Sequence, residues 1–165
     1  MITTLIAIAV FIAFALKEAH EDRKGKPVDA HAPDWVDRAT FAFVVAVCCA
    51  YANIYTTDAT VWGFLWKLLG FCLIAVGAFT PVFRWRLNRL RGKDARYISP
   101  SNDYDALFIR LSGRGWLGRA HEIEYHNVYY SIGGGCARAV HRAGTWAYAV
   151  EGLALLIGCG ITLAH

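Results

Sequence analysis

Apolar residues in this chain do not recur at the helical or strand period that a water-facing core requires. They come in four long blocks, at 2–16, 39–57, 61–83 and 143–164. A helix rises ~1.5 Å per residue and the hydrocarbon slab of a bilayer is ~30 Å thick, so about 20 apolar residues cross it. Blocks two to four meet that length. The first holds only fifteen residues, and it spans if Lys17 and Glu18 extend upward from its end or the bilayer thins around it. The pattern predicts an all-α integral membrane bundle, a single membrane domain over 1–165, with transmembrane helices at about 2–18, 39–57, 61–83 and 143–164.

The first block also carries Ala13-Phe14-Ala15, a small-x-small triplet of the kind a signal peptidase reads. The residues before it, Met1-Ile2-Thr3-Thr4, lack the positive charge of a secretory signal. A retained anchor is therefore expected.

Composition supports the same solvent, since 56% of the residues are apolar and the mean hydropathy is +0.34. Charge then sets an orientation. Of the 17 lysines and arginines, five fall between blocks one and two, eleven between blocks three and four, and one, Lys67, inside a block. The link at 58–60 and both ends of the chain have none. Basic segments resist translocation, so both are expected in the cytoplasm, with both termini outside a cytoplasmic (inner) membrane.

The stretch FRWRLNRLRGK at 83–93 opens the larger basic segment. Phe83, Leu87 and Leu90 recur at i, i+4 and i+7, which predicts a short amphipathic helix lying along the headgroups. Arg84, Arg86, Arg89, Arg91 and Lys93 would then contact anionic lipid, at about 1 kcal/mol each. Nucleic acid is not an expected partner, because no binding fold surrounds the run.

The segment at 17–38, with six acids, five bases and interrupting Gly25, Pro27 and Pro33, reads as a solvated loop. The cytoplasmic segment at 84–142 is long enough to fold locally. Within it, Tyr104, Leu107, Phe108 and Leu111 predict an amphipathic helix ended by Gly113, its apolar face buried against the bilayer or the ends of the spanning helices. Residues 114–132 fit helix and strand in part, and helix is favoured because a lone strand leaves its edges unpaired. Gly133-Gly134-Gly135 predicts a hinge; the following Cys136-Ala137-Arg138 excludes a phosphate loop.

Candidate chemistry is sparse. His121-Glu122-Ile123-Glu124-Tyr125-His126 offers His121, Glu122 and His126 as metal ligands, with His20, His31 and His141 elsewhere on the same expected side. The pattern resembles the histidine-box membrane hydroxylases and desaturases, which implies iron or zinc at the membrane surface. The chain departs from them in having no His-His pair and no His-Glu-x-x-His motif. On a helix, Glu122 and His126 share a face, whereas His121 sits about 140° away from His126. Four of the five cysteines lie inside blocks and no Cys-x-x-Cys occurs, so buried thiols are expected and no cofactor is assigned.

Two ionisable groups lie within blocks, Lys67 and Glu151. Such a group costs ~2.5–3.5 kcal/mol or more at mid-depth. Lys67 is six residues from the end of its block, so its stem can reach the outer interface. Glu151, eight residues in with a shorter side chain, must be protonated, paired with a neighbour or facing a wet pathway. Ala139, Ala143 and Ala147, continued by Gly152 and Gly158, form a small-residue face suited to helix association within the chain or between copies.

These features favour a non-enzymatic multi-pass protein that acts by associating with itself, as a homo-oligomer, or as an accessory subunit of a larger membrane complex. In size and helix count it resembles the holins, which implies a pore-forming variant of that role. The alternatives are a surface metalloenzyme built on His121, Glu122 and His126, and an ion or proton pathway through Glu151.

Overall fold

A computed structural model describes residues 1–22, 31–54, 60–98, 108 and 135–164, with the side chains of 31–35 and 135–142 left undescribed. It contains four long helices: α1 (Ile2–Asp22), α2 (His31–Ile54), α3 (Val61–Leu90) and α4 (Gly135–Leu163). No strand occurs among the described residues. All four helices are long and apolar enough to cross a membrane. The chain is an all-α, multi-pass membrane protein.

Each helix extends beyond its apolar block at one end, and local chemistry explains the extension of α1 and both ends of α3. α1 continues through Lys17-Glu18-Ala19-His20-Glu21 to Asp22, helped by the i,i+4 pair of Lys17 with Glu21 at 3.3 Å. Its 21 residues give ~32 Å of helix, so the first block needs no thinning of the bilayer to span. α3 begins at Thr60, whose extended backbone (φ −100°, ψ 149°) and hydroxyl, accepting from the Gly63 N–H at 3.1 Å, form an N-cap. It ends at Gly92, where φ is +67°. There the Lys93 N–H donates to the Asn88 carbonyl (2.8 Å) and the Gly92 N–H to the Arg89 carbonyl (3.2 Å), the paired bonds of a Schellman cap.

Residues 83–90 therefore do not form a separate helix along the headgroups. They are the last two turns of α3, which runs 30 residues without interruption even across Pro81. The expected helix at 104–111 lies outside the described residues except for Phe108, which is helical and buried with Ile98, Ala143 and Ala147. Residues 114–132 and Gly133-Gly134 also lie outside them, and Gly135 is the first residue of α4.

α3 is the central helix. It packs most extensively on α4, then on α1, then on α2. On α1 the buried positions Thr4, Ala7, Phe11, Ala15, Ala19 and Asp22 recur every three or four residues, which makes one stripe facing inward. The main core joins Ala7 and Phe11 of α1, Ala46 and Ala50 of α2, and Phe71, Ile74, Ala75 and Ala78 of α3. Small side chains dominate, as expected where lipid tails are as apolar as leucine and close van der Waals contact drives association. Large apolar side chains face outward instead, among them Phe43, Val44, Trp66, Leu153 and Leu156.

The side-chain contacts fix the polarity of the bundle. Arg38 at the start of α2 bonds Glu18 and Asp22 at the end of α1, each at 2.8 Å. Thr4 near the start of α1 donates to Thr162 near the end of α4 at 3.3 Å. Neighbouring helices in sequence thus run antiparallel. Residues 17–22, 31–38 and 84–98 gather at one end, called the basic end below, while Met1, Thr60 and Ala164 gather at the other.

Candidate functional site

The chemistry of this molecule concentrates on the seam between α3 and α4. Glycine makes that seam close. A Cβ on Gly77 would come within 2.6 Å of the Glu151 carbonyl oxygen and the Leu155 backbone nitrogen; one on Gly158 would come within 2.6 Å of the Gly70 carbonyl oxygen. The two backbones thus touch at two levels, with room for hydrogen and nothing larger.

Between and beyond those levels lie the two intramembrane charges. Glu151 is fully buried and receives a bidentate grip from Arg84, Nη1 to Oε2 at 2.8 Å and Nη2 to Oε1 at 2.9 Å. Fork-to-fork geometry of this kind is the strongest form of charged hydrogen bond. Arg84 is itself only 5% exposed and stands 5.3 Å from the centre of the Tyr148 ring. Of the three options for Glu151, pairing with a neighbour is the one the geometry takes, and the neighbour is not Lys67.

Lys67 does something else. Its ammonium donates to the carbonyls of Ile161 (3.3 Å), Thr162 (3.0 Å) and Ala164 (2.9 Å) at the end of α4. The last carbonyls of a helix lack intrahelical donors and carry its negative dipole end, so a cation placed there satisfies both. Lys67 is a cap for α4, 5% exposed, its stem reaching the end of the bundle where Ala164 lies.

Beyond Arg84 the chain folds back over α4. The Asn88 amide donates to the carbonyls of Ala95 (3.3 Å) and Tyr97 (2.7 Å), and the Tyr148 hydroxyl donates to Ala95 at 2.7 Å. The Arg96 carbonyl sits directly on Gly144, where a Cβ would collide with it. Ile98, Phe108, Ala143 and Ala147 close a second apolar cluster around this turn. Hence Ala143, Ala147 and Gly158, read as parts of an association face, are buried within the chain. Gly152 lies on the opposite side of α4, where a Cβ meets nothing within 4 Å, and so does Gly160. The side chain of Ala139 is outside the described residues.

The five basic residues assigned to headgroups also part company. Arg84 is the correction: it is inside the bundle on Glu151, because α3 continues past the apolar block and an unpaired buried carboxylate costs more than a buried pair. Arg91 donates to the Asp22 carbonyl at 3.3 Å, and Lys93 lies 3.8 Å from the centre of the Tyr97 ring. Arg89 is exposed, and Arg86 lines a cleft between α1 and α3.

His121, Glu122 and His126 lie outside the described residues. Among the described residues no three histidine, cysteine or acidic side chains come together as a metal site. Cys48, Cys49, Cys72 and Cys159 are free thiols on the helices.

Sequence reading missed the Arg84–Glu151 pair because the run of arginines looked like surface. Two signals pointed the other way. Gly92 is a helix-ending residue eight positions on, which carries α3 past Arg84, and Glu151 requires a donor at its own depth. No family model, curated protein or solved structure matches this chain.

Proposed function

We propose that this is a small protein of the cytoplasmic membrane that acts by association, with copies of itself or as an accessory subunit of a larger membrane complex, its basic end inside and both termini outside. The observation that carries the reading is the division of α4 into two faces. One face is committed within the chain, to α3 through Gly158 and Glu151 and to the turn that follows α3 through Ala147 and Gly144. The other presents Ala149, Gly152, Leu156 and Gly160 outward, with open space above both glycines. Small residues at that spacing let a second helix approach closely in lipid. The buried charges, meanwhile, hold the bundle together rather than face outward, since Glu151 accepts Arg84 on both oxygens and Lys67 caps a helix. The orientation is supported by the gathering of the described basic residues Lys17, Arg38, Arg84, Arg86, Arg89, Arg91, Lys93 and Arg96 at one end.

Intact-mass measurement of the protein released from mild detergent tests the association. A multiple of the single-chain mass, or a co-purifying partner, is expected for the wild type. Gly152→Leu should return it to a single chain with unchanged thermal stability. A wild type that is monomeric and alone would remove the proposal. Proton or ion flux in liposomes that Glu151→Gln abolishes would assign the buried pair to a pathway instead.

A further inference from the structure

At the basic end, a cleft of about 640 Å³ lies between α1 and α3, lined by Leu16, Lys17, His20, Glu21, Trp85 and Arg86. Its volume is within the ~300–1,000 Å³ of sites that take small ligands. Leu16 is the last residue of the first apolar block and Lys17 the first charge after it, so the cleft straddles the level where hydrocarbon gives way to headgroups. Trp85, 43% exposed, is the residue type that settles at that level.

The charges in the cleft are unbalanced. Lys17 and Arg86 bring two positive charges and Glu21 one negative, so the bases outnumber the acid. Lys17 is partly engaged by Glu21 at 3.3 Å and Glu18 at 3.5 Å. Arg86 has no ion-pair or hydrogen-bond partner among the described residues. The cleft on the other flank of α1 has the opposite balance, Glu18, Glu21 and Asp37 against Lys17 and Arg38, and Arg38 is already held by Glu18 and Asp22. An anion arriving at this end of the bundle is therefore drawn to the α1–α3 side.

We propose that the α1–α3 cleft binds the headgroup of an anionic phospholipid of one net negative charge, its phosphodiester held between Arg86 and Lys17 and its first acyl carbons against Leu16 and Trp85. Basic pockets between spanning helices recognise lipid headgroups by this combination of fixed charge and flanking apolar surface. Arg86 suits the role because its planar fork meets two phosphate oxygens at once. Glu21 shapes the choice, since a carboxylate beside the phosphate site accepts from a headgroup hydroxyl and repels a second anionic group. A glycerol headgroup fits both demands. The inference rests on the membrane reading alone and holds whatever the copy number.

The test places the full-length protein in nanodiscs of equal phosphatidylglycerol and phosphatidylcholine, and weighs the lipid retained on release by native mass spectrometry. The wild type should retain phosphatidylglycerol in preference. Arg86→Gln should lower that retention about fivefold and Arg86→Gln with Lys17→Gln about 25-fold, as about 1 kcal/mol per basic residue implies. Arg89→Gln, exposed and outside the cleft, should lower it by clearly less than Arg86→Gln does. Lys17→Gln alone, at a side chain 62% exposed, should lower it about fivefold. Equal retention of the two lipids by the wild type, or equal losses in Arg86→Gln and Arg89→Gln, would overturn the proposal. Free glycerol phosphate that displaces the lipid as well as short-chain phosphatidylglycerol does would overturn it too, in favour of a soluble phosphate. Copy number appears in the same spectra, so a failure of the association reading is seen separately.

Discussion

α3 and α2 are both apolar helices of spanning length, yet they are built into the molecule by different means. About 39% of the span of α3 is buried and 17% of that of α2. α3 meets α4 backbone to backbone at Gly70, Gly77 and Gly158, is locked to it by Arg84–Glu151, and supplies Lys67 to close its far end. α2 touches the core through Ala46 and Ala50, is tied to α1 by Arg38, and presents Phe43, Val44 and Tyr51 outward. Where lipid rather than water surrounds the chain, apolar area alone does not sort a helix into the centre. Glycine notches and satisfied charges do that work. The sharpest way to break this contrast is to attack the seam and the periphery separately and compare the costs.

The largest effect is expected at the ion pair. Glu151→Leu takes away the carboxylate that grips the buried Arg84 guanidinium on both nitrogens, and removing one partner of a buried pair costs about 3–5 kcal/mol. Arg84→Leu with Glu151→Leu should recover most of that loss, because two apolar side chains of similar volume need no partner. Unfolding in mixed micelles, read as a double-mutant cycle, measures both. Additive losses in the two single variants would mean that the pair contributes no coupling, and the seam would then rest on the glycines alone.

Those glycines come next. Gly77→Leu drives a side chain into the α4 backbone at Glu151 and Leu155, which no rotamer avoids. Overpacking of that kind costs about 1–3 kcal/mol. Gly152→Leu, on the same pair of helices but facing away, should cost within about 0.5 kcal/mol because its Cβ meets nothing. A comparable loss in both variants, in the same micelle titration, would erase the distinction between the committed and open faces of α4.

The legible part of this fold was the part written in runs. Four apolar blocks name four helices, because length against bilayer thickness is a one-dimensional comparison. The extent of the helices was less legible, since a block ends at its first charge whereas a helix ends at a cap. Lys17–Glu21 carries α1 on, and Gly92 stops α3. From that single difference came the misplacement of Arg84. The partner of Glu151 was illegible for another reason: which acid meets which base across two helices depends on their relative height, and neither block states it. The small-residue repeat of α4 was visible, but its division into two faces depends on where α3 lies. Ala147 and Gly152 look alike in a spacing pattern and differ only once a neighbour is present.

A smaller loss is expected at the far end of the seam. Lys67→Met keeps the apolar stem and removes the ammonium from the carbonyls of Ile161, Thr162 and Ala164. A cation at a partly buried helix terminus contributes up to about 2 kcal/mol, and the freed carbonyls belong to the last turn of α4 and its exit. About 1–2 kcal/mol is therefore the expected cost in the same titration, with fraying confined to the last turn of α4 in amide exchange. Lys67→Arg should recover part of it.

The smallest effect tests the periphery. Cys48 is exposed on α2, one residue from Cys49, which packs partly against the core. Cys48→Ala removes a small apolar group from a surface in lipid contact, where the tails replace whatever contacts it made, so stability should stay within about 0.5 kcal/mol of wild type. Cys49→Ala takes atoms away from the core side and should cost more than Cys48→Ala by the loss of those contacts. The order of the two matters more than either value. If Cys48→Ala were the costlier, the outer face of α2 would be covered in the functional assembly, and the weakly buried helix would be an interface helix rather than a peripheral one. Reaction of Cys48 with a lipid-soluble maleimide decides between them directly: rapid labelling in micelles belongs to an open face, while protection that disappears on dilution to single chains belongs to a second copy seated there.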